Sequence, residues 1–157
     1  MNDKNTYQDN SEYFTLVPDD DNNRAQEQDP KDKNKFRDRC YHHSVAIIRL
    51  IKKLPKDEVN TAILNKLLRS AISIGASVVE AKATKSRKSY IKCYETALKS
   101  AVETKYWLSL VRDTEDVNKN TLNILLKENV LIAKTLESSL KTIKKIKPAV
   151  TDNKQLP

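Results

Sequence analysis

Two histidines, His42 and His43, and two cysteines, Cys40 and Cys93, supply the imidazoles and thiols that catalysis or metal binding could recruit. A hydrolytic triad needs a histidine set between an acid and a nucleophile, and no such set is evident around this pair. Adjacent residues on a helix diverge by ~100°, so His42 and His43 do not chelate one ion. His42 follows Asp38 by one turn, the spacing of a surface pair. His43 follows Cys40 by three residues, and Cys-x-x-His on one helix face is half a zinc site. No second pair of ligands accompanies it, so a hydrogen-bonded core histidine is the expectation. Phosphate-cradling loops need several glycines, and the chain has one, Gly75. Carboxylate-bridged metal bundles need Glu-x-x-His repeats, and no Glu here is followed three residues later by His. No catalytic residue, metal site or cofactor is expected, and the chain reads as a non-enzyme.

The elements that carry these residues are helical. Gly occurs once in 157 residues, and strong helix formers dominate. Phe36, Cys40, His43, Ile47, Leu50 and Leu54 are spaced 4, 3, 4, 3, 4, a bundle seam. They predict a helix over 32–54 that stops before Pro55. Asp57 is placed to cap a second helix over 58–82. Its stripe is Ile63, Leu67, Ala71, Ile74, Val78 and Ala81, widened by Leu64, Leu68, Ile72 and Val79. Ser86 is placed to cap a third over 87–112, with Ile91, Tyr94, Leu98, Ala101, Leu108 and Val111 inward. After a polar break at 113–120, a fourth helix carries Leu122, Leu126, Ala133, Leu136, Leu140 and Ile143 towards Pro148. Short connections make consecutive helices antiparallel. The expected fold is all-α, an up-down-up-down four-helix bundle over 31–148. An acidic, disordered arm over 1–30 and a frayed tail over 149–157 flank it. No apolar run reaches the ~20 residues that span a bilayer, and the start shows no secretion signal. With two thiols expected to be reduced and buried, a cytoplasmic protein with no membrane partner is expected.

Charge is segregated. The net charge is +8, but residues 1–30 carry −6 and the remainder +14. Up-down topology brings three basic stretches to one end. The start of helix one supplies Lys33, Lys35, Arg37 and neighbours, and the second connection supplies Lys82, Lys85, Arg87 and Lys88. The end of helix four supplies Lys141, Lys144, Lys145 and Lys147. Cations disfavour helix N-termini, so Arg87 and Lys88 at the start of helix three oppose the dipole. Lys92 and Lys99 extend the patch along that helix, beside Tyr90. An anion-binding end fits, most of all one for nucleic acid, with Tyr90 a candidate to stack on an unpaired base. The arm leaves beside this end and is a candidate to screen it. A Lys-rich surface with a solubilising tail is the bland alternative. On the outer faces of helices two and three, Arg69, Ser73, Glu80, Glu103 and Trp107 are candidate subunit contacts.

Two segments carry a resemblance. LLRSAISIGASVVEA at 67–81 and ALKSAVETKYWL at 97–108, with LPKD at 54–57, resemble the signatures of a bacterial four-helix-bundle family. Its first members are encoded by intervening sequences in 23S ribosomal RNA genes. The resemblance spans about residues 34–147 and departs at Ser77, where the family usually has Asn. It implies an up-down bundle that assembles as a homopentamer. The family includes the accessory variability determinant of diversity-generating retroelements, a basic pentamer that binds nucleic acid and a reverse transcriptase. The expected function is that of an oligomeric, RNA-binding accessory protein. The alternative is an interaction module that oligomerises without nucleic acid.

Overall fold

The computed structural model describes residues 30–145, with side chains from residue 35 onward. The expected tail and all of the expected arm but Pro30 lie outside the described residues. The chain forms α1 Pro30–Lys53, α2 Glu58–Ala83, α3 Arg87–Thr114 and α4 Lys119–Lys145. No strand occurs among the described residues.

Local chemistry sets the helix ends. Pro30 occupies the first position of α1, where its missing N–H costs no intrahelical bond. Pro55 disfavours helical geometry in the residue before it, and α1 ends at Lys53. The Asp57 carboxylate accepts from the Asn60 backbone N–H at 2.9 Å and caps α2. The Ser86 hydroxyl oxygen accepts from the Ser89 N–H at 3.1 Å and caps α3. Each cap satisfies an N–H that the first turn leaves without an intrahelical acceptor. Helix α3 runs to Thr114, two residues past its expected end, and closes with the Glu115 N–H on the Val111 carbonyl.

Each helix packs on the next, and α1 closes the ring against α4 through a lighter contact; among the described residues, the backbones of diagonal helices do not come close. Ser73 pairs with Ser100 and Ser70 with Thr104, so α2 and α3 run antiparallel. The structure is the expected antiparallel four-helix bundle. All six residues of the first seam are buried, from Phe36 in α1 to Leu54 just past its end. On α2, Leu64 joins the core, whereas Ile72 and Val79 are 44% and 53% exposed. The α2 stripe is therefore narrower than its apolar residues suggest, and part of its outer face is apolar. Length and mean hydropathy of 1.3 would also let α2 cross a membrane. Eight of its residues are instead buried in the bundle.

The core is divided. One apolar cluster, including Ile47, Leu67, Leu108, Leu122 and Leu125, fills the half nearest the first and third connections. Another, including Phe36, Ile74, Val78, Tyr94, Leu136 and Leu140, fills the half nearest the second. Between them lie His43, Ser70, Ser100, Thr104 and Asn129, all buried. Asn129 donates to the Ala101 carbonyl at 2.8 Å, and Thr104 to the Ser100 carbonyl at 2.8 Å. Ser70 donates to the Leu67 carbonyl at 3.1 Å. At this level α1 and α2 approach closely. A Cβ placed on Gly75 would sit 3.7 Å from the Cys40 carbonyl oxygen, and Ser44 lies within hydrogen-bond distance of the Cys40 and Ala71 carbonyls. Gly75 therefore serves packing within the chain.

Candidate nucleic-acid interface

Three residues, Thr84 to Ser86, link α2 to α3. The Thr84 hydroxyl donates to the Ala81 carbonyl at 2.8 Å, which ends α2, and the Ser86 cap starts α3. Lys85 is held at the tip between them, exposed. Lys88, Ile91, Lys92 and Glu95 then recur at helical spacing along α3 and, with Arg87, line a shallow groove. Its apolar element is Ile91, which packs against the core cluster nearest the second connection.

Helix α4 ends beside this groove. The Arg87 guanidinium donates to the Ile143 carbonyl, and Lys144 pairs with Glu95 at 2.7 Å. These contacts bring the start of α3 and the end of α4 together. They also divide the expected phosphate-binding residues into two kinds. Arg87 satisfies a last-turn carbonyl of α4, and Lys144 is held by a carboxylate. Lys85, Lys88, Lys92, Lys141 and Lys145 are exposed. Lys82 is exposed at the end of α2. Lys35 is exposed near the start of α1, and the partly exposed Arg37 lies 3.4 Å from Asp38. The expected Asp38–His42 pair is thus replaced by a contact with Arg37. Lys33 lies in α1, before the first described side chain. Tyr90 is half-buried, with its ring stacked on Tyr94 at 4.7 Å and 22°.

Arg39 lies one turn farther in. Its guanidinium grips Glu128 through two nitrogens, with Nη2 2.9 Å from Oε2. This fork-to-fork geometry ties α1 to α4. At the opposite end of the bundle, Arg112 and Asp113 pair at 2.8 Å. Their hydrogen bond raises the guanidinium pKa and lowers that of the carboxyl.

Other reactive groups are enclosed. Burial, then the Glu80 carboxylate, pushes the Cys93 thiol up, away from the thiolate that makes a cysteine nucleophilic. Burial holds the His43 imidazole down at about 4. No group of three His, Cys, Asp or Glu side chains is arranged for a metal among the described residues.

The candidate subunit contacts fall on two levels. Arg69, Glu80 and Glu103 are exposed on the outer faces of α2 and α3. Ser73 is half-buried and accepts from Ser100 at 2.9 Å, so its hydroxyl serves the α2–α3 contact. Trp107 packs on the core cluster nearest the first and third connections, with its indole nitrogen 3.4 Å from Glu103. The two outer faces also carry exposed apolar residues that the sequence reading left out of the surface: Ile72, Val79, Val102 and Tyr106.

Comparison with known proteins agrees with this architecture. A solved structure from Bacteroides thetaiotaomicron, described as a protein of unknown function from the S23 ribosomal protein family, is similar to it. That chain shares 33% identity and a TM-score of 0.64, covering 69% of this chain and 97% of its own. No curated protein matches. Residues 32–138 match the 23S rRNA-intervening sequence protein family, and the chain belongs to that family.

Proposed function

We propose that this protein is a non-enzymatic, oligomeric accessory protein that binds structured RNA or an RNA–DNA intermediate through the basic end of the bundle. The observation that carries the reading is the convergence of Lys85, Lys88, Lys92, Lys141 and Lys145, all exposed, on one end. Cations so grouped gain affinity by releasing counterions from a phosphate backbone. Five phosphate contacts give a slope of roughly −4 in log affinity against log salt. Subunits meet through the outer faces of α2 and α3, where Ile72, Val79, Val102 and Tyr106 leave apolar surface beside Arg69 and Glu103. Exposed aromatic and apolar residues grouped in this way favour a protein contact. A homopentamer in the cytoplasm, working beside a reverse transcriptase as in a retroelement, is the form that the resemblance favours.

A salt-titrated binding assay with a structured RNA tests the reading. Lys85→Glu, Lys88→Glu and Lys92→Glu together are expected to abolish binding and leave the assembly seen by native mass spectrometry unchanged. A wild-type protein without affinity at low salt would leave the second reading, an oligomerisation module that needs no nucleic acid. That second reading is favoured by the same exposed apolar residues.

A further inference from the structure

We propose that residues 12–21 dock in cis onto the α3 groove and compete there with nucleic acid. The competition rests on the proposed function; the docking does not. The groove combines an apolar element, Ile91, with Lys88 and Lys92, and Lys85 stands beside it. Residues 12–21 carry the complementary chemistry in a single run. Tyr13, Phe14, Leu16 and Val17 form an apolar island in the acidic segment, and Asp19, Asp20 and Asp21 follow after Pro18. The apolar side chains cover Ile91, and the carboxylates meet the lysines.

Geometry permits the contact within one chain. α1 begins at Pro30, at the same end of the bundle as the start of α3. Eight residues lie between Asp21 and Pro30, and the nine steps they make span up to about 30 Å. Neighbouring helix axes lie ~10 Å apart, so the diagonal from α1 to α3 is about 14 Å. A tether of this length holds the segment at an effective concentration that a separate molecule does not match. The same lysines then neutralise either three aspartates or a phosphate backbone, but not both.

Carbodiimide cross-linking of the full chain, which joins carboxylates directly to amines, tests the docking without nucleic acid. Links from Asp19, Asp20 or Asp21 to Lys85, Lys88 or Lys92 are expected at low salt. They should disappear in roughly 0.5 M salt, where the Debye length is about 4 Å. A mixture of isotopically light and heavy protein should show them within chains only. Asp19→Asn, Asp20→Asn and Asp21→Asn together should tighten RNA binding by about tenfold at low salt and change little at high salt. Absence of the links at low salt, or links only between chains, overturns the docking. Links present but RNA affinity unchanged in the triple variant overturns the competition. A wild-type chain that binds no RNA overturns the proposed function and leaves the cross-links to decide the docking.

Discussion

Nε2 of His43 on α1 lies 3.3 Å from Oδ1 of Asn129 on α4, with both side chains buried in the middle of the bundle. Asn129 spends its amide N–H on the Ala101 carbonyl of α3, so its oxygen faces the ring. The imidazole is the donor in this contact, and its proton sits on Nε2. Nδ1 has no hydrogen-bond partner among the described residues.

This arrangement makes stability depend on pH. Burial is the main force that lowers the His43 pKa from 6.5 to about 4, with Arg39 adding to it and Glu128 and Asn129 opposing. Between those values the unfolded chain binds a proton that the native chain refuses. Stability therefore falls as pH drops from about 6.5 to about 4, by about 3 kcal/mol in all. His43→Gln keeps a donor for Asn129 and removes the titration. Denaturant unfolding across this range should show a shallower loss in the variant than in the wild type. Equal slopes would refute the assignment.

Thr104 and Ser70 share a limited supply of protons. Their hydroxyl oxygens lie 2.9 Å apart, while each also reaches a carbonyl, at Ser100 and Leu67. Two hydroxyl protons serve three contacts. Thr104→Val should cost about 1–2 kcal/mol, because it leaves a buried partner short of a donor or acceptor. Ser70→Ala combined with Thr104→Val should cost less than the sum of the single changes. Thermal unfolding of the four proteins in the cycle gives the coupling.

Arg87 and Lys88 are adjacent cations with different expected roles. Arg87→Ala removes the donor to the Ile143 carbonyl and should lower stability by about 1 kcal/mol. Lys88→Ala removes an exposed charge from the groove. It should leave the melting temperature nearly unchanged and make the salt slope of RNA binding shallower by about 1. Melting curves and salt titrations on both variants separate the two. Identical profiles would show that the division between them is mistaken.

Ser86 ends the second connection and positions the basic residues that follow it. Ser86→Ala deprives the Ser89 N–H of its acceptor and should cost about 1 kcal/mol. Faster amide exchange confined to the first turn of α3 is the expected signature. A loss spread over all four helices would argue against a local capping role.

Much of the fold was legible because helical period and capping chemistry are local properties. The α1 stripe from Phe36 to Leu54 is buried throughout, and Asp57 and Ser86 cap the helices they precede. The α2 stripe was less legible. Ile72 and Val79 are apolar but exposed, and only the position of α2 between α1 and α3 shows which of its apolar residues turn inward. His43 was expected as a hydrogen-bonded core histidine and is one, but the other buried polar residues went unread for a related reason. Ser100, Thr104 and Asn129 occupy seam positions, yet a polar residue in a stripe looks like an interruption until its partner on the next helix is known. The convergence of basic stretches followed from topology. Which cations are engaged did not, because the Arg87–Ile143 and Lys144–Glu95 contacts join residues 56 and 49 apart in sequence.

The polar belt between the two apolar clusters has a consequence for registry. Leucine-rich helices of similar length can slide past one another by a turn, ~5.4 Å, and exchange one greasy contact for another. Here such a slip would carry Asn129 away from His43 and Ala101, and Thr104 away from Ser70, into layers lined by leucine and isoleucine. Stranded polar groups are costly in such layers. The belt works as a detent: it gives little to the depth of the native well and much to the choice of which well is occupied.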